Sequence, residues 1–154
     1  MPNWCVGTLK VRGKIKDLKR FIVDVLQPVT FFGDDNGKLE LNEGDGYFTV
    51  NKDGSNHIKH TYRGFVEDLD LWVDFDKEDE VKTIALESKF AWDINAYQLL
   101  EVCQEFDVDM KIYAFERGMQ FNRNIEIVDG EIVKNENLEF DDYLWDSICP
   151  NMGG

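Results

Sequence analysis

The chain has 154 residues, 43% of them hydrophobic, with 31 acidic against 17 basic side chains and a formal net charge of -14. That size and apolar fraction suit one domain with a real core. The charge repels nucleic acid and anionic membrane at long range and favours a basic partner. No apolar run approaches the roughly 18 residues of a membrane helix, no secretory leader is legible, and Cys5, Cys103 and Cys149 show no C-x-x-C spacing. Neither a disulfide framework nor a metal site is expected, and a cytoplasmic setting is.

The first segment, NWCVGTLKVRG, alternates. Cys5, Gly7, Leu9 and Val11 share one face of a predicted strand, Trp4, Val6, Thr8, Lys10 and Arg12 the other, and Gly13 ends it. Cys5 is then a small buried hydrophobe rather than a reactive thiol, which needs access and a lowered pKa. Ile15, Leu18, Ile22, Val25 and Leu26 recur at helical spacing, and Pro28 stops the helix. Residues 33–46, rich in Gly, Asp and Asn, read as loop. YFTVNK and HIKHTYRGF flank Asp53-Gly54, which predicts a hairpin. His57 and His60 in such a strand fall on opposite faces and cannot easily share a metal.

Next comes EDLDLWVDFDKEDE. Asp68, Asp70, Trp72, Asp74 and Asp76 alternate with Leu69, Leu71, Val73 and Phe75, so one strand face is apolar and the other carries four carboxylates around a tryptophan. VKTIALESKFAW is a further strand with Ile84, Leu86, Ser88 and Phe90 on one side. A helix follows, capped by Asp93 or Asn95, with the stripe Ala96, Leu99, Leu100, Cys103 and Phe106. DMKIYAF is a strand, and MQFNRNIEIVDGEIVKN a hairpin turning at Asp129-Gly130. In the acidic tail, Tyr143, Leu144 and Ile148 predict a short amphipathic helix laid on the body, and the last residues are expected to fray.

Strand-helix-strand-strand-helix-strand is the ferredoxin-like plan, an α+β antiparallel sheet with two helices on one face. The expected organisation is a single ferredoxin-like domain over residues 1–154. An acidic insertion at about 28–80 supplies a hairpin and the acidic strand, and a C-terminal hairpin extends the sheet.

Two stretches carry a family resemblance. NWCVGTLKVRG with its helix to Leu26, and SKFAWD through YAFERGMQFNRNIEIVDGEIV, resemble the YubB-type proteins of phages and plasmids. Those proteins share an opening aromatic-Cys pair, a strand ending near a Trp, and an acid-x-Gly-x-x-Phe pattern. Here the matching positions are Trp92, Glu116, Gly118 and Phe121. The helix after Trp92 begins DIN where the family has prolines, and residues 28–80 have no counterpart. The resemblance implies a ferredoxin-like fold, a mobile-element origin and a possible family site at those four residues. It implies no mechanism.

No nucleophile–base set, P-loop or G-x-G-x-x-G is present, so no catalytic residue and no cofactor are expected. The pattern points to a non-enzymatic binding protein of a phage or mobile element. It would occupy a basic surface of a host protein through Asp68, Asp70, Trp72, Asp74 and Asp76, inhibiting a nucleic-acid-handling defence factor in the manner of an anti-CRISPR or anti-restriction protein. One alternative is a small-molecule-binding or hydrolytic site near Glu116. A lesser one is RNA bound on a sheet face through Tyr113 and Phe115, with Lys10, Lys14, Lys16, Lys19 and Arg20 nearby in sequence.

Overall fold

The alternation of the first segment is realised as β1 (Trp4–Lys14) in a computed structural model that describes residues 1–29 and 37–154. Cys5, Leu9 and Val11 are fully buried on one face. Gly7 has a packing reason: a Cβ there would stand 2.4 Å from the Tyr113 carbonyl oxygen of the neighbouring strand. The helix α1 (Ile15–Val25) has no side-chain cap. Its first N–H groups are satisfied by the Glu80 and Glu78 carbonyls, with Ile15 N–H donating at 2.9 Å and Lys16 N–H at 3.1 Å. It ends as Leu26–Pro28 turns extended to form β2, in keeping with the extended bias of residues before proline.

The 33–46 loop lies partly outside the described residues, and its remainder is not all loop. Asn42–Gly44 forms β3, paired with β4 (Tyr47–Lys52). The hairpin expected around Asp53-Gly54 does not form. β4 pairs with β7 (Leu69–Asp74), whereas β5 (Asn56–Ile58) pairs with β6 (Gly64–Val66) and β2. The chain crosses between sheets at residues 53–55, where side chains satisfy Gly54 and the Val29 N–H donates to the Ser55 carbonyl at 3.0 Å. Asp68 accepts the Gly54 N–H at 2.6 Å, and the buried Asn56 amide donates to the Gly54 carbonyl at 3.2 Å.

β8 (Val81–Ala91), α2 (Ala96–Phe106), β9 (Asp109–Glu116), β10 (Phe121–Val128), β11 (Glu131–Glu139) and the short α3 (Tyr143–Asp146) complete the chain. Among the described residues the result is a mixed α+β fold: an eight-stranded antiparallel sheet ordered β11-β10-β9-β1-β8-β6-β5-β2, a three-stranded sheet ordered β3-β4-β7, two eleven-residue helices and the four-residue α3. The insertion therefore does not extend one sheet. β5 and β6 enter the large sheet between β8 and β2, and the acidic strand departs to the small one. Both long helices bury their stripes in the same cluster as Cys5, Leu9 and Val11, and Phe48, Val50, Leu69 and Val73 of the small sheet join it. Asn95 caps α2 by accepting the Tyr97 N–H at 3.0 Å, and the β10–β11 hairpin turns at Asp129 and Gly130, both at positive φ.

The tail departs from expectation. Of Tyr143, Leu144 and Ile148, only Tyr143 is buried, and the other two face solvent. The residues at the C-terminal end are pinned rather than frayed, with Gly154 N–H donating to the Trp4 carbonyl at 2.9 Å. Tyrosine takes the inward place because its hydroxyl finds a buried acceptor, Asn122 Oδ1, that leucine could not satisfy.

Candidate functional site

The acidic face is built on β7, the end strand of the small sheet. Leu69 and Val73 point into the core, and Asp70, Trp72 and Asp74 point outward. Across the ladder Trp72 pairs with Thr49 and Asp74 with Tyr47. Tyr47 therefore lies diagonal to Trp72 and stacks on it, with ring centroids 4.5 Å apart and planes 11° from parallel. The Trp72 Nε1–H donates to Asp74 Oδ1 at 2.7 Å, and Asn51 Nδ2 to Asp70 Oδ1 at 3.4 Å. The indole is 64% exposed yet fixed in plane and direction.

Asp68 and Asp76, also exposed, lie outside the strand. Asp68 precedes the strand and holds the Gly54 N–H. Asp76 follows it, in a turn where its own N–H donates to Glu80 Oε2 at 2.8 Å. That bond, with help from Lys82 against a desolvation cost, holds the Glu80 carboxyl below its usual value. Lys19 reaches from α1 to both Glu43 and Glu78 and neutralises part of the surrounding acid. Tyr47 was not legible as a partner of Trp72, because the stack depends on which strand β4 pairs with.

Trp92, Glu116, Gly118 and Phe121 gather near one end of the large sheet. Glu116 is fully buried, and its carboxylate accepts the Gly118 N–H at 2.7 Å and the Met119 N–H at 2.6 Å. A Cβ on Gly118 would stand 2.4 Å from Asn3 Nδ2. Trp92, exposed and at φ 69, donates its N–H to the Asn3 carbonyl at 2.8 Å, and Phe121 packs half-buried against the core. Beside them Arg123, largely buried, donates to Asn135 Oδ1 at 2.6 Å and faces Asp93 at 3.6 Å. It lines an open cleft of about 370 Å³ with Trp92, Asp93, Tyr97 and Asn135. Burial, reinforced by Asp93 and Glu116 and opposed by Arg123, pushes the Cys5 thiol up to about 12. The opening cysteine is a core residue with no nucleophilic character.

Tyr113 and Phe115 do share a sheet face, with ring centroids 5.2 Å apart, but Phe115 is only 8% exposed and offers no platform for a base. Lys16, Lys19 and Arg20 lie on α1 rather than on that face. His57 sits in β5 against Phe65 and the Thr61 carbonyl, and His60 lies outside the strand against Glu105. Among the described residues no group of three or more His, Cys, Asp or Glu is arranged to hold a metal, and no helix is long and apolar enough to cross a membrane.

No family model, curated protein or solved structure matches this chain. The two places differ in what they offer chemically. The sheet end offers a buried carboxylate, each of whose oxygens accepts a backbone N–H of the turn it closes. The β7 face offers exposed carboxylates beside a rigid, flat aromatic surface.

Proposed function

We propose that this chain is a small non-enzymatic binding protein of a phage or other mobile element, which sets the Asp70, Trp72 and Asp74 face of β7 on a basic surface of a host protein. The partner is a nucleic-acid-handling defence factor, whose phosphate-binding surface is itself basic, and occupation of that surface inhibits it. The supporting observation is Trp72. Carboxylates on an end strand serve to prevent edge-to-edge pairing, which accounts for Asp70 and Asp74. It does not account for a solvent-facing indole held flat on Tyr47. A large, pre-oriented aromatic surrounded by charge is the kind of anchor that dominates binding energy, since little side-chain freedom remains to be lost.

Asp70 and Asp74, four residues apart on one face of the strand with Trp72 between them, lie roughly 13 Å apart, against one phosphate per roughly 3.4 Å along a DNA strand. The strand alone is too sparse to imitate DNA, so the aromatic anchor carries affinity and the acids carry orientation and on-rate. The test is capture of partners from nuclease-treated host lysate at low and high salt, read by mass spectrometry, with Trp72→Ala and the double variant Asp70→Asn, Asp74→Asn as controls. A basic protein recovered by the native chain and lost with the folded variants supports the reading. Recovery unchanged by the variants removes the site.

The units β1–α1–β2 and β8–α2–β9, with β1 antiparallel to both β8 and β9, are read here as a ferredoxin-like core into which β5 and β6 have been inserted. This accords with the YubB-type resemblance. A hydrolytic or small-molecule role centred on Glu116 is less well served, because that carboxylate already accepts two backbone N–H groups.

A further inference from the structure

The turn around α3 is inside out. Tyr143 and Ser147, four residues apart, face the sheet and are buried, and their hydroxyls meet the side chain of Asn122. Leu144 and Ile148, also four apart, face solvent with Trp145 beside them, and the three are 66%, 84% and 85% exposed respectively. A one-turn helix (Tyr143–Asp146) and the two residues after it, which together hide their hydroxyls and present Leu144, Trp145 and Ile148 to water, have an apolar surface with a use outside the fold.

The knob is held from several sides. Tyr143 OH donates to Asn122 Oδ1 at 2.8 Å, and Asn122 Nδ2 donates to Tyr113 OH at 3.1 Å and Ser147 Oγ at 3.3 Å. The Asp142 side chain caps the turn by accepting the Trp145 N–H at 3.3 Å. Downstream, Met152 N–H bonds to the Cys149 carbonyl at 3.2 Å and Gly154 N–H to the Trp4 carbonyl at 2.9 Å. Trp145 therefore projects from a fixed base, so its presentation to a partner costs little ordering.

Charge selects the occupant. From Asn135 to Gly154 the sequence carries Glu136, Glu139, Asp141, Asp142 and Asp146 and no base. Asp141, Asp142 and Asp146 are exposed beside the apolar trio. A second copy of the chain would bring the same acids face to face across a two-fold axis, each copy at -14, so self-association is disfavoured. An anionic lipid surface is disfavoured for the same reason. An apolar pocket rimmed by Lys and Arg on another protein complements both features.

We infer that Leu144, Trp145 and Ile148 form a second docking knob that inserts into an apolar pocket with a basic rim on a partner protein. The inference rests on the reading of the chain as a binder of basic proteins, but uses a different surface: the knob lies against the sheet residues Tyr113 and Asn122, and Trp72 on the small sheet.

The probe is a 15N-labelled chain whose indole N–H signals are assigned by single Trp→Phe variants, titrated with a Lys/Leu amphipathic helical peptide and with its Glu/Leu counterpart. Saturable movement of the Trp145 signal with the Lys/Leu peptide alone is expected. Trp145→Ala should weaken that binding at least about tenfold, and the double variant Leu144→Ser, Ile148→Ser should abolish it with the melting temperature unchanged. Movement confined to Trp72 overturns the knob and leaves the acidic-strand reading standing. Movement confined to Trp145 supports the knob and counts against the strand. An equal response to the Glu/Leu peptide, no response at either tryptophan, or a dimer in sedimentation that Trp145→Ala dissolves overturns the inference.

Discussion

Tyr143 and Asn122, 21 residues apart, share a buried hydrogen bond of 2.8 Å that fastens the last helix to the large sheet. Tyr143→Phe removes the donor and leaves the Asn122 carbonyl oxygen without its partner. A loss of about 1–3 kcal/mol in unfolding free energy is expected, as for other orphaned buried acceptors. Urea denaturation measures it, and a change below about 0.5 kcal/mol would show that the tail contributes nothing to global stability.

The thiols should separate by burial. Cys5 and Cys103 are buried and both are pushed up to about 12, chiefly by desolvation, whereas Cys149 is partly exposed. At about pH 8 a thiol of that pKa is ionised to roughly one part in 10⁴. Labelling of the native protein with a thiol reagent should stop at one equivalent, located at Cys149 by peptide mapping, and reach three only after denaturation. Rapid labelling of Cys5 would contradict its place in the core.

Glu116 closes the 117–120 turn with two charge-assisted hydrogen bonds. Glu116→Gln sets an amide donor against one of those N–H groups and removes the charge. The expected cost is about 1–3 kcal/mol by chemical denaturation, with partner capture unaltered once the variant is folded. Capture lost by a fully folded Glu116→Gln protein would move the functional site to the sheet end.

Glu105 gives an acid-sensitive contribution. Hydrogen bonds from His60 and Lys59 hold its carboxyl below the ordinary value, with a smaller opposing effect of desolvation, and Glu101 faces the other side of the His60 ring. The folded protein binds this proton less readily than the unfolded chain. The stabilisation is therefore present above the ordinary carboxylate range and is lost as pH falls through the lowered value. The melting-temperature difference between the native chain and Glu105→Gln should be larger above the ordinary carboxylate range than on the acid side, shrinking as pH falls through the lowered value. A difference that grew on acidification would reverse the sign.

Trp72→Ala should alter stability little, because what is lost is the stack on Tyr47, about 0.5–1.5 kcal/mol, and a solvent-exposed hydrogen bond to Asp74, while partner affinity falls at least tenfold (about 1.4 kcal/mol). A calorimetric titration with the captured partner, beside a thermal melt, separates the two effects.

Where a side chain's environment follows from local period, the sequence was readable. The burial of Cys5, Leu9 and Val11, the helix from Ile15, a cap at Asp93 or Asn95, of which Asn95 is the one used, and the Asp129-Gly130 turn all came from spacing and turn chemistry. What failed depended on long-range choice. Asp53-Gly54 has hairpin chemistry, but the runs on either side find partners in different sheets. Period two placed Asp70, Trp72 and Asp74 together but could not mark where the strand stops, so Asp68 and Asp76 were included with them. Tyr47 beneath Trp72 is a matter of register between strands. In the tail, helical spacing grouped Tyr143, Leu144 and Ile148 on one inward face, and only Tyr143 is buried there. That is decided by Asn122, whose polar groups select Tyr143 and Ser147.

The position of β1 has a kinetic consequence. It is flanked on both sides by strands from far along the chain: Gly7 meets Ser88 across 81 residues, and Arg12 meets Asp109 across 97. During synthesis its two edges stay unpaired until β8 and then β9 have emerged, and loop closure of that size must precede any gain from the central ladder. Lys10, Arg12 and Lys14 on its open face, against a chain that is otherwise strongly acidic, keep this waiting strand charged and disfavour its pairing with another nascent copy.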